Sequence, residues 1–330
     1  MTDGIAVREL EGMPIFTDLL RFGAVRLWMQ PEDDVEFHGF PGRTLRSAFG
    51  VALRECSCVS GLEHCKECDR RYECAYGAYF KPHRSEREHY LDADELPAGV
   101  IVRFPFAGPI RFTPMDYVPM DVVMVGRALT ADLAFARAIN TMAGRLGIGK
   151  KRVRMVQRRL EPLTGRQASY PEPIGWDDLA SPEDGNRHMV EVLFLSPVEL
   201  RQKGEYLSGL DFHDLIWYGT HRIAALIDTH CASMEHKGLP AALRQWRDDL
   251  ATEARGVRRV AHSFVPESQV YSSSQHSNRA VFPGFTGRAI FQGPMKQFLP
   301  ILRALTYVHL GRHSTFGWGQ IDIRLDLEPG

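Results

Sequence analysis

The chain has 330 residues, of which 44% are hydrophobic and 25% charged, with a formal net charge of -1. This is the composition of a globular protein, and the length suffices for two cores of ordinary domain size. No apolar run approaches the roughly 20 residues of a membrane span, and the first residues lack the basic and apolar pattern of a secretory signal. We therefore expect a cytoplasmic protein without a membrane partner.

Arginine supplies 33 of the 40 basic residues. Its planar guanidinium binds phosphate through two donors and stacks on bases, which suits an RNA ligand. Codon bias in a GC-rich genome would explain the total equally well. The local basic stretches at 149–159 and 254–262 are stronger evidence for nucleic-acid binding, although each is also consistent with an ordinary solvated face.

Hydrophobic periodicity predicts the elements of the first half of the chain. They are, in order, a strand over 21–29, an amphipathic helix within 38–55, a cysteine-rich stretch, strands within 98–106 and 121–129, a helix over 128–147 and a strand over 152–160. Residues 162–186 are rich in proline, glycine and acidic residues without a period, which predicts a linker between domains.

The second half repeats this order in outline. Its predicted elements are a strand over 188–196, helices over 212–230 and 242–254, strands around 278–282 and over 284–293, a helix over 295–311 and a last strand after Gly319. Each half approximates a β-α-β-β-α-β unit, so we predict an α+β protein of two tandem ferredoxin-like (RRM-like) domains. The predicted domains are 1–185, with a Cys-rich insertion at about 56–90, and 186–330.

Five of the six cysteines lie within nineteen residues. They are Cys56, Cys58, Cys65, Cys68 and Cys74. In a cytoplasmic protein such spacing favours thiolate ligation over disulfides, and the Cys-x-x-Cys at 65–68 predicts a chelating turn. We expect a structural Zn²⁺ held by Cys65, Cys68, Cys74 and either Cys56 or Cys58, with His64 as a further candidate. An iron–sulfur cluster is bound by the same kind of thiolates, and it remains the alternative to zinc.

The stretch HSTFGWGQIDIRL at 313–325 places Gly317 and Gly319 around Trp318, directly before a predicted strand. Glycine at a strand entrance costs conformational entropy, so the bare backbone implies a close approach by another group. We interpret this glycine-rich loop as an RNA-binding loop whose amides meet the RNA backbone. Trp318 is either a base-stacking platform or a core anchor.

Five motifs in this order resemble the RAMP superfamily, and within it the CRISPR-associated endoribonucleases that cut precursor CRISPR RNA at its repeats. They are HGFPGRTLRSAFG, the cysteines ending in CAYGAYF, LFLSPVELRQKG, SNRAVFPGFTGRAIFQG and HLGRHSTFGWGQI. The resemblance implies binding of repeat RNA and cleavage without a metal ion, in which a ribose 2′-hydroxyl attacks the adjacent phosphate. The products are a 2′,3′-cyclic phosphate and a 5′-hydroxyl.

This chemistry needs a base, a proton donor and cations on the phosphate. The resemblance places a histidine near the first helix, so His38 is the first catalytic candidate, with a helix-capping turn residue as its alternative role. His83, close to three basic residues, is the second candidate. His313, beside Arg312 and the glycine-rich loop, is the third and either catalyses or binds RNA. Arg46, Arg43 or Arg279 would supply cations on the phosphate. No fixed His-Tyr-Lys set can be mapped onto the chain.

The predicted RNA-binding residues are basic side chains together with the glycine-rich loop. They are Arg43, Lys150, Lys151, Arg152, Arg279, Arg288, Arg312, His313, Gly317, Trp318 and Gly319. The expected partners are CRISPR repeat RNA and the mature crRNA, with subunits of a CRISPR effector complex as further candidates. The alternative function is a non-catalytic RAMP subunit that binds guide RNA within such a complex.

Overall fold

The structure is a computed structural model that describes residues 15–37, 39–62, 64–105, 110–165, 172–233, 236–272 and 279–325. The elements of the first half are β1 (Arg21–Pro31), β2 (Val35–Glu36), α1 (Pro41–Ser57), β3 (Val100–Arg103), β4 (Arg111–Phe112), β5 (Val118–Val125), α2 (Asp132–Thr141), β6 (Met155–Pro162), β7 (Ile174–Gly175) and α3 (Trp176–Leu179). Those of the second half are β8 (Met189–Val198), β9 (Arg201–Gln202), β10 (Glu205–Tyr206), α4 (Phe212–Leu226), α5 (Leu239–Glu253), β11 (Arg258–Ser272), β12 (Arg279–Gln292), α6 (Leu299–Val308) and β13 (Ile321–Arg324).

The first sheet has the spatial order β3-β5-β1-β6, and β7 pairs with the start of β1. All these pairings are antiparallel. Across the sheet, the strands thus follow each other as the second, third, first and fourth main strands of the chain. Helix α1 connects β1 to β3, and α2 connects β5 to β6. This is the strand arrangement of a β-α-β-β-α-β unit, as the periodicity of the sequence predicts.

The second sheet has the order β11-β12-β8-β13, again fully antiparallel. It repeats the arrangement of the first sheet, with α4 and α5 together forming the first crossover and α6 the second. The chain is therefore a mixed α/β protein with two antiparallel sheets of equivalent strand order.

Strand β1 lies between two hydrophobic cores because successive side chains point to opposite faces. Val25, Leu27 and Met29 join the core beneath α1 and α2. Phe22 and Ala24 join a second core built largely from the helices of the other half. Helices α4 and α6 thus pack against one face of the first sheet, which fixes the two halves to each other.

Helix α1 begins with Pro41, whose missing N–H is tolerated in the first turn. It buries Leu45, Phe49 and Leu53, which are four residues apart and so share one face. A neighbouring face carries three half-buried arginines, Arg43, Arg46 and Arg54. Among the described residues, no helix is both long and apolar enough to cross a membrane.

Three expectations from the sequence differ from the structure. The linker predicted at 162–186 contains β7 and α3, and Ile174 pairs with Phe22 of β1. The basic stretch at 254–262 leads into the long strand β11, which the sequence analysis did not predict because both faces carry polar residues. The two strands predicted within 278–293 are one continuous strand, β12.

Candidate nucleic-acid interface

The start of α1 lies directly against the glycine-rich loop of the other half. A Cβ added to Gly42 would lie 2.1 Å from the carbonyl oxygen of Phe316. A Cβ on Gly317 would lie 3.2 Å from the ring of Phe40 and 3.1 Å from Cβ of Arg103. The first and last motifs of the sequence therefore form one contact between the halves.

Beside this contact lies a groove of about 750 Å³. Three arginines of α1 line it, and they share one face of the helix because they occupy positions i, i+3 and i+11. Tyr76 and Phe80, which pack beside these arginines, also line the groove, and Phe316 of the glycine-rich loop lines it as well. The arginines are Arg43, Arg46 and Arg54. Such a combination of guanidinium groups and aromatic rings suits phosphates and bases.

Arg46, predicted as a catalytic cation, is bonded within the groove wall. Its guanidinium donates to the carbonyl oxygens of Phe80 and Val100, both at 3.2 Å, and lies 3.9 Å from the Phe80 ring centroid. Burial lowers its pKa to about 10. Arg46 therefore fixes the 76–80 turn against β3, and Arg43 and Arg54 stand on either side of it along α1.

The segment that leads into α1 also lines two smaller cavities. Gly39, Phe40 and Pro41 line one of about 380 Å³, which is bounded on its other side by β8, β11 and β12. Glu36 lines one of about 200 Å³ together with Lys150 and Lys151. Lys150 and Lys151 of the predicted basic stretch at 149–159 thus lie next to the strand that precedes α1.

His313 lies above a buried carboxylate. Its Nε2 is 3.3 Å from Oε2 of Glu199, whose side chain is 1% exposed. Burial lowers the pKa of His313 to about 4, and Arg312, Arg43 and Arg201 add to this effect. Burial raises the pKa of Glu199, against the opposing effect of the two nearest arginines. The imidazole is therefore neutral at pH 7 and can accept or donate a hydrogen bond.

Amides of the glycine-rich loop bind backbone carbonyls of the protein itself. This corrects the interpretation that they meet the RNA backbone. The amide of Gly319 donates to the carbonyl of Pro197, and that of Gly317 to Ser314. A Cβ on Gly319 would lie 1.7 Å from the carbonyl oxygen of Leu310. These two amides are used within the protein, so they are not free to bind RNA.

Trp318 is fully buried, with an exposed fraction of 0%. Its ring packs edge-on against His313, Phe282 and Phe316. A base cannot stack on a ring with no exposed face, so the prediction of a stacking platform is wrong. The alternative holds, in which Trp318 is the core anchor that shapes the loop.

The catalytic candidates differ in what the structure shows of them. His38 lies outside the described residues, between Phe37 and Gly39. His83 is half-buried, bridges to Glu95 in a short backbone pairing, and is not among the residues that line the groove. His89, which lies in the same segment as His83, is buried and bonded to Asp228 at 3.1 Å.

The remaining predicted RNA-binding residues lie on other surfaces. Arg288 is on the face of β12 that carries Thr286, and its guanidinium is 3.2 Å from Glu191. Arg312 is exposed and 3.6 Å from Glu199. Arg152 is exposed in the 148–153 turn. The side chain of Arg279 lies outside the described part of the chain.

Sequence reasoning missed the aromatic wall of the groove. Tyr76 and Phe80 belong to CAYGAYF, which drew attention only for its cysteine. The stacked pair that they form, with ring centroids 5.2 Å apart, could have been inferred from their i, i+4 spacing.

The predicted metal ligands separate into two groups. Cys58, Cys65, Cys68 and Cys74 line one small cavity, whereas Cys56 lies elsewhere, 3.3 Å from Oγ1 of Thr141. Within the described residues, no three His, Cys, Asp or Glu side chains already stand at the spacing of a bound metal ion.

Two family models match the chain. Residues 192–321 match the model described as CRISPR-associated endoribonuclease Cas6. Residues 20–179 match a model described only as an N-terminal domain. A search of curated proteins found no significant match.

Several solved structures are similar in fold. A Cas6 (TTHB231) product complex has a TM-score of 0.54 and 16% identity, over 92% of this chain and 99% of that chain. Thermus thermophilus Cas6 (TTHB231) gives 0.50 and 15% with the same coverage. A partial Cas6-RT-Cas1–Cas2 complex gives 0.57 and 10%, over 94% of this chain and 47% of that chain.

The two antiparallel sheets and these matches define the class by fold, which is the fold of the solved Cas6 structures. Within that fold, residues 192–321 match the family model of the CRISPR-associated endoribonuclease Cas6. The resemblance stated from the motifs is thereby confirmed.

Proposed function

We propose that this protein binds CRISPR repeat RNA and cleaves precursor crRNA without a metal ion in the reaction. The ribose 2′-oxygen attacks the adjacent phosphorus, the bond to the 5′-oxygen breaks, and the products carry a 2′,3′-cyclic phosphate and a 5′-hydroxyl. The observation that supports this most strongly is the contact between the start of α1 and the glycine-rich loop, with the arginine-lined groove beside it.

The charges of the groove match the needs of this reaction. The phosphorane-like transition state gains negative charge on its oxygens, and guanidinium donors stabilise it in a site that excludes water. Arg43 and Arg54 line the groove, and the exposed parts of the Tyr76 and Phe80 rings would contact neighbouring bases. Arg46 shapes the wall through its bonds to two carbonyls.

We assign the general base to His38 on the resemblance of the motifs, and the described residues next to it support this assignment because they lie near the junction of the halves. Phe37 is anchored by its amide to the carbonyl of Ile110, and Gly39 lines the 380 Å³ cavity. His83 is the second candidate. His313 is a neutral imidazole near Arg43 and is suited to binding RNA, as is Arg312 beside it.

The further contacts of the RNA lie along the surfaces next to this junction. Lys150, Lys151 and Arg152 offer a basic turn beside β2, and Arg288 extends the surface across the second sheet. These groups would bind phosphates and contribute to affinity more than to sequence discrimination.

We also propose that each half is a ferredoxin-like domain, 1–185 and 186–330, and that the Cys-rich segment at about 56–90 is an insertion in the first. Both sheets have the strand order of that fold. After cleavage the protein would keep or pass on the crRNA to subunits of an effector complex. A chain of similar fold occurs in a Cas6-RT-Cas1–Cas2 complex, which supports assembly with other CRISPR proteins in general.

The test is incubation of the full chain with an end-labelled CRISPR repeat RNA, with EDTA added together with the RNA. We expect one cut and a cyclic phosphate at the new 3′ end. A substrate with a single 2′-deoxy sugar at the cut site should bind equally well and remain intact. Tight binding without any cleavage would instead favour the non-catalytic RAMP subunit, and absence of binding would refute both functions.

A further inference from the structure

We infer that Cys58, Cys65, Cys68 and Cys74 form a structural zinc site that holds one wall of the groove. The four thiols line a single enclosed cavity of about 10 Å³, formed by the chain between the end of α1 and residue 76. A space of this size accepts about one water-sized probe and is suited to a single ion.

The thiols already converge on common neighbours. Sγ of Cys68 is 3.3 Å from Oγ of Ser60, and Sγ of Cys58 is 3.8 Å from the same oxygen. Cys65 lies within electrostatic reach of the three other thiols. All four sulfur atoms therefore border one space, although they are separated by up to sixteen positions in the sequence.

The local backbone has the form that thiolate ligands use. The amide of Cys68 donates to the carbonyl of Cys65 at 3.1 Å, which closes the Cys-x-x-Cys turn. The amide of Gly77 donates to Sγ of Cys74 at 3.3 Å. Backbone amides of Ser60 and Gly61 donate to Cys58. Such N–H···S bonds orient sulfur ligands and stabilise their negative charge.

Nearby cations offset the charge of the proposed site. Four thiolates around Zn²⁺ carry a net charge of -2. Arg70 and Arg71 line the same cavity, and Arg71 donates to the carbonyl of Cys68. Arg54, which points into the groove, donates to the carbonyl of Leu62 in the same segment.

Ligation requires the thiols to turn. Among the residues that the structure describes, no three potential ligands have the mutual spacing of a bound ion. Rotation about Cα–Cβ would move the Cys58 and Cys68 sulfur atoms from Ser60 onto the ion. Zinc is the expected metal because it prefers four tetrahedral thiolates at about 2.3 Å, and a closed shell of four leaves no position for a reacting water.

The site would support the groove from behind. Residues 59–74 connect α1 to Tyr76 and Phe80, which line the groove. Few apolar side chains of this segment are buried, so the segment has little core of its own to order it. A metal crosslink would supply that order.

The test needs no RNA, so its result is independent of the proposed cleavage. Metal analysis of the purified full chain by mass spectrometry is expected to give one zinc per chain and no visible absorption. The metal-free protein should bind one Co²⁺ with the charge-transfer and d–d bands of a tetrahedral thiolate site. Cys65→Ser and Cys74→Ser should each abolish stoichiometric zinc.

Cys56→Ser and Cys231→Ser serve as matched controls and should retain one zinc, because neither thiol lines the cavity. Loss of zinc in Cys56→Ser would overturn the ligand set. A brown protein with iron and sulfide would overturn the assignment to zinc. If these four thiols react freely in the wild-type chain and the chain gives no Co²⁺ spectrum, the zinc site is refuted. This measurement needs no variant, so it remains decisive even where a Cys→Ser variant fails to fold.

Discussion

Gly42 and Phe316 touch across the two halves of the chain, and the space between them admits no side chain at position 42. A Cβ there would lie 2.1 Å from the Phe316 carbonyl oxygen. The first turn of α1 and the glycine-rich loop are therefore built to meet, and the proposed cleavage site lies where they do.

Gly42→Ala is expected to separate these two elements. The new methyl group would clash with a backbone oxygen, which cannot move as a flexible side chain does, so the loop must shift. We expect cleavage to fall at least about tenfold, because small displacements at a reacting centre cost large factors. Gly144→Ala is the control, since a Cβ at residue 144 meets open space. Equal cleavage rates for the two variants would contradict the role of this contact.

Arg43→Ala is expected to weaken RNA binding in a salt-dependent way. Each phosphate contact releases condensed counterions, so log K falls as log salt rises. Loss of one contact should make this negative slope less steep by about 0.7–0.9. Arg137→Ala is the control, because Arg137 is exposed on α2 and does not line the groove. The measurement is a titration of labelled repeat RNA at several salt concentrations. An unchanged slope for Arg43→Ala would exclude it as a phosphate contact.

Asp121 holds two arginines of the first sheet and is fully buried. Its carboxylate accepts from Nε of Arg26 at 2.7 Å and from Nε of Arg103 at 3.0 Å, and Arg103 also donates to the carbonyl of Thr306 in α6. Asp121→Asn leaves these cations without their counter-charge, so we expect a loss of about 3–5 kcal/mol in the free energy of unfolding.

The control for this change is Asp34→Asn, which breaks the exposed ion pair with Arg111. Such surface pairs contribute about 0–1 kcal/mol. Urea unfolding followed by circular dichroism measures both variants. Similar losses for the two would show that the Asp121 network does not stabilise the junction of the halves.

Stability should decrease as the pH falls from about 6.5 to about 4. Burial lowers the pKa of His230 to about 4, because its ring lies inside the protein with Nε2 bonded to the carbonyl of Pro97. In this pH range the unfolded chain binds a proton at residue 230 and the folded chain does not. The free energy of unfolding therefore drops on acidification, by at most about 1.4 kcal/mol per pH unit from this group.

Thermal unfolding at a series of pH values measures this dependence. His230→Gln keeps a donor for the Pro97 carbonyl but does not titrate. The slope of its free energy of unfolding against pH should therefore be smaller than that of the wild type, by the equivalent of up to about one bound proton. His221, whose pKa burial also lowers to about 4, retains its own contribution in that variant. A slope equal to that of the wild type would contradict the buried neutral state of His230.

Much of the fold follows from the sequence alone. The alternation along β1 and the apolar face of α1 are local patterns, and the strand order follows from repeating them in each half. β11 was not predicted because its polar residues face solvent on both sides, and the pairing with β12 that stabilises it is a tertiary property.

The site was predictable in part. The glycines around Trp318 correctly indicated a close approach, but what approaches Gly319 is the backbone of Leu310, which no local pattern reveals. The burial of Trp318 and the separation of Cys56 from the other cysteines likewise depend on packing between distant segments. The arginine face of α1 was visible from spacing, whereas its aromatic partner wall was not.

The most direct test of the proposed cleavage site is single-turnover cleavage of a CRISPR repeat RNA by the His38→Ala variant. We predict that the wild type cuts equally fast with and without added EDTA. The variant should cut about 10²–10⁴-fold more slowly, as expected for loss of a general base, while its RNA affinity is unchanged. Cleavage by the variant at the wild-type rate would contradict the role of His38 as the general base.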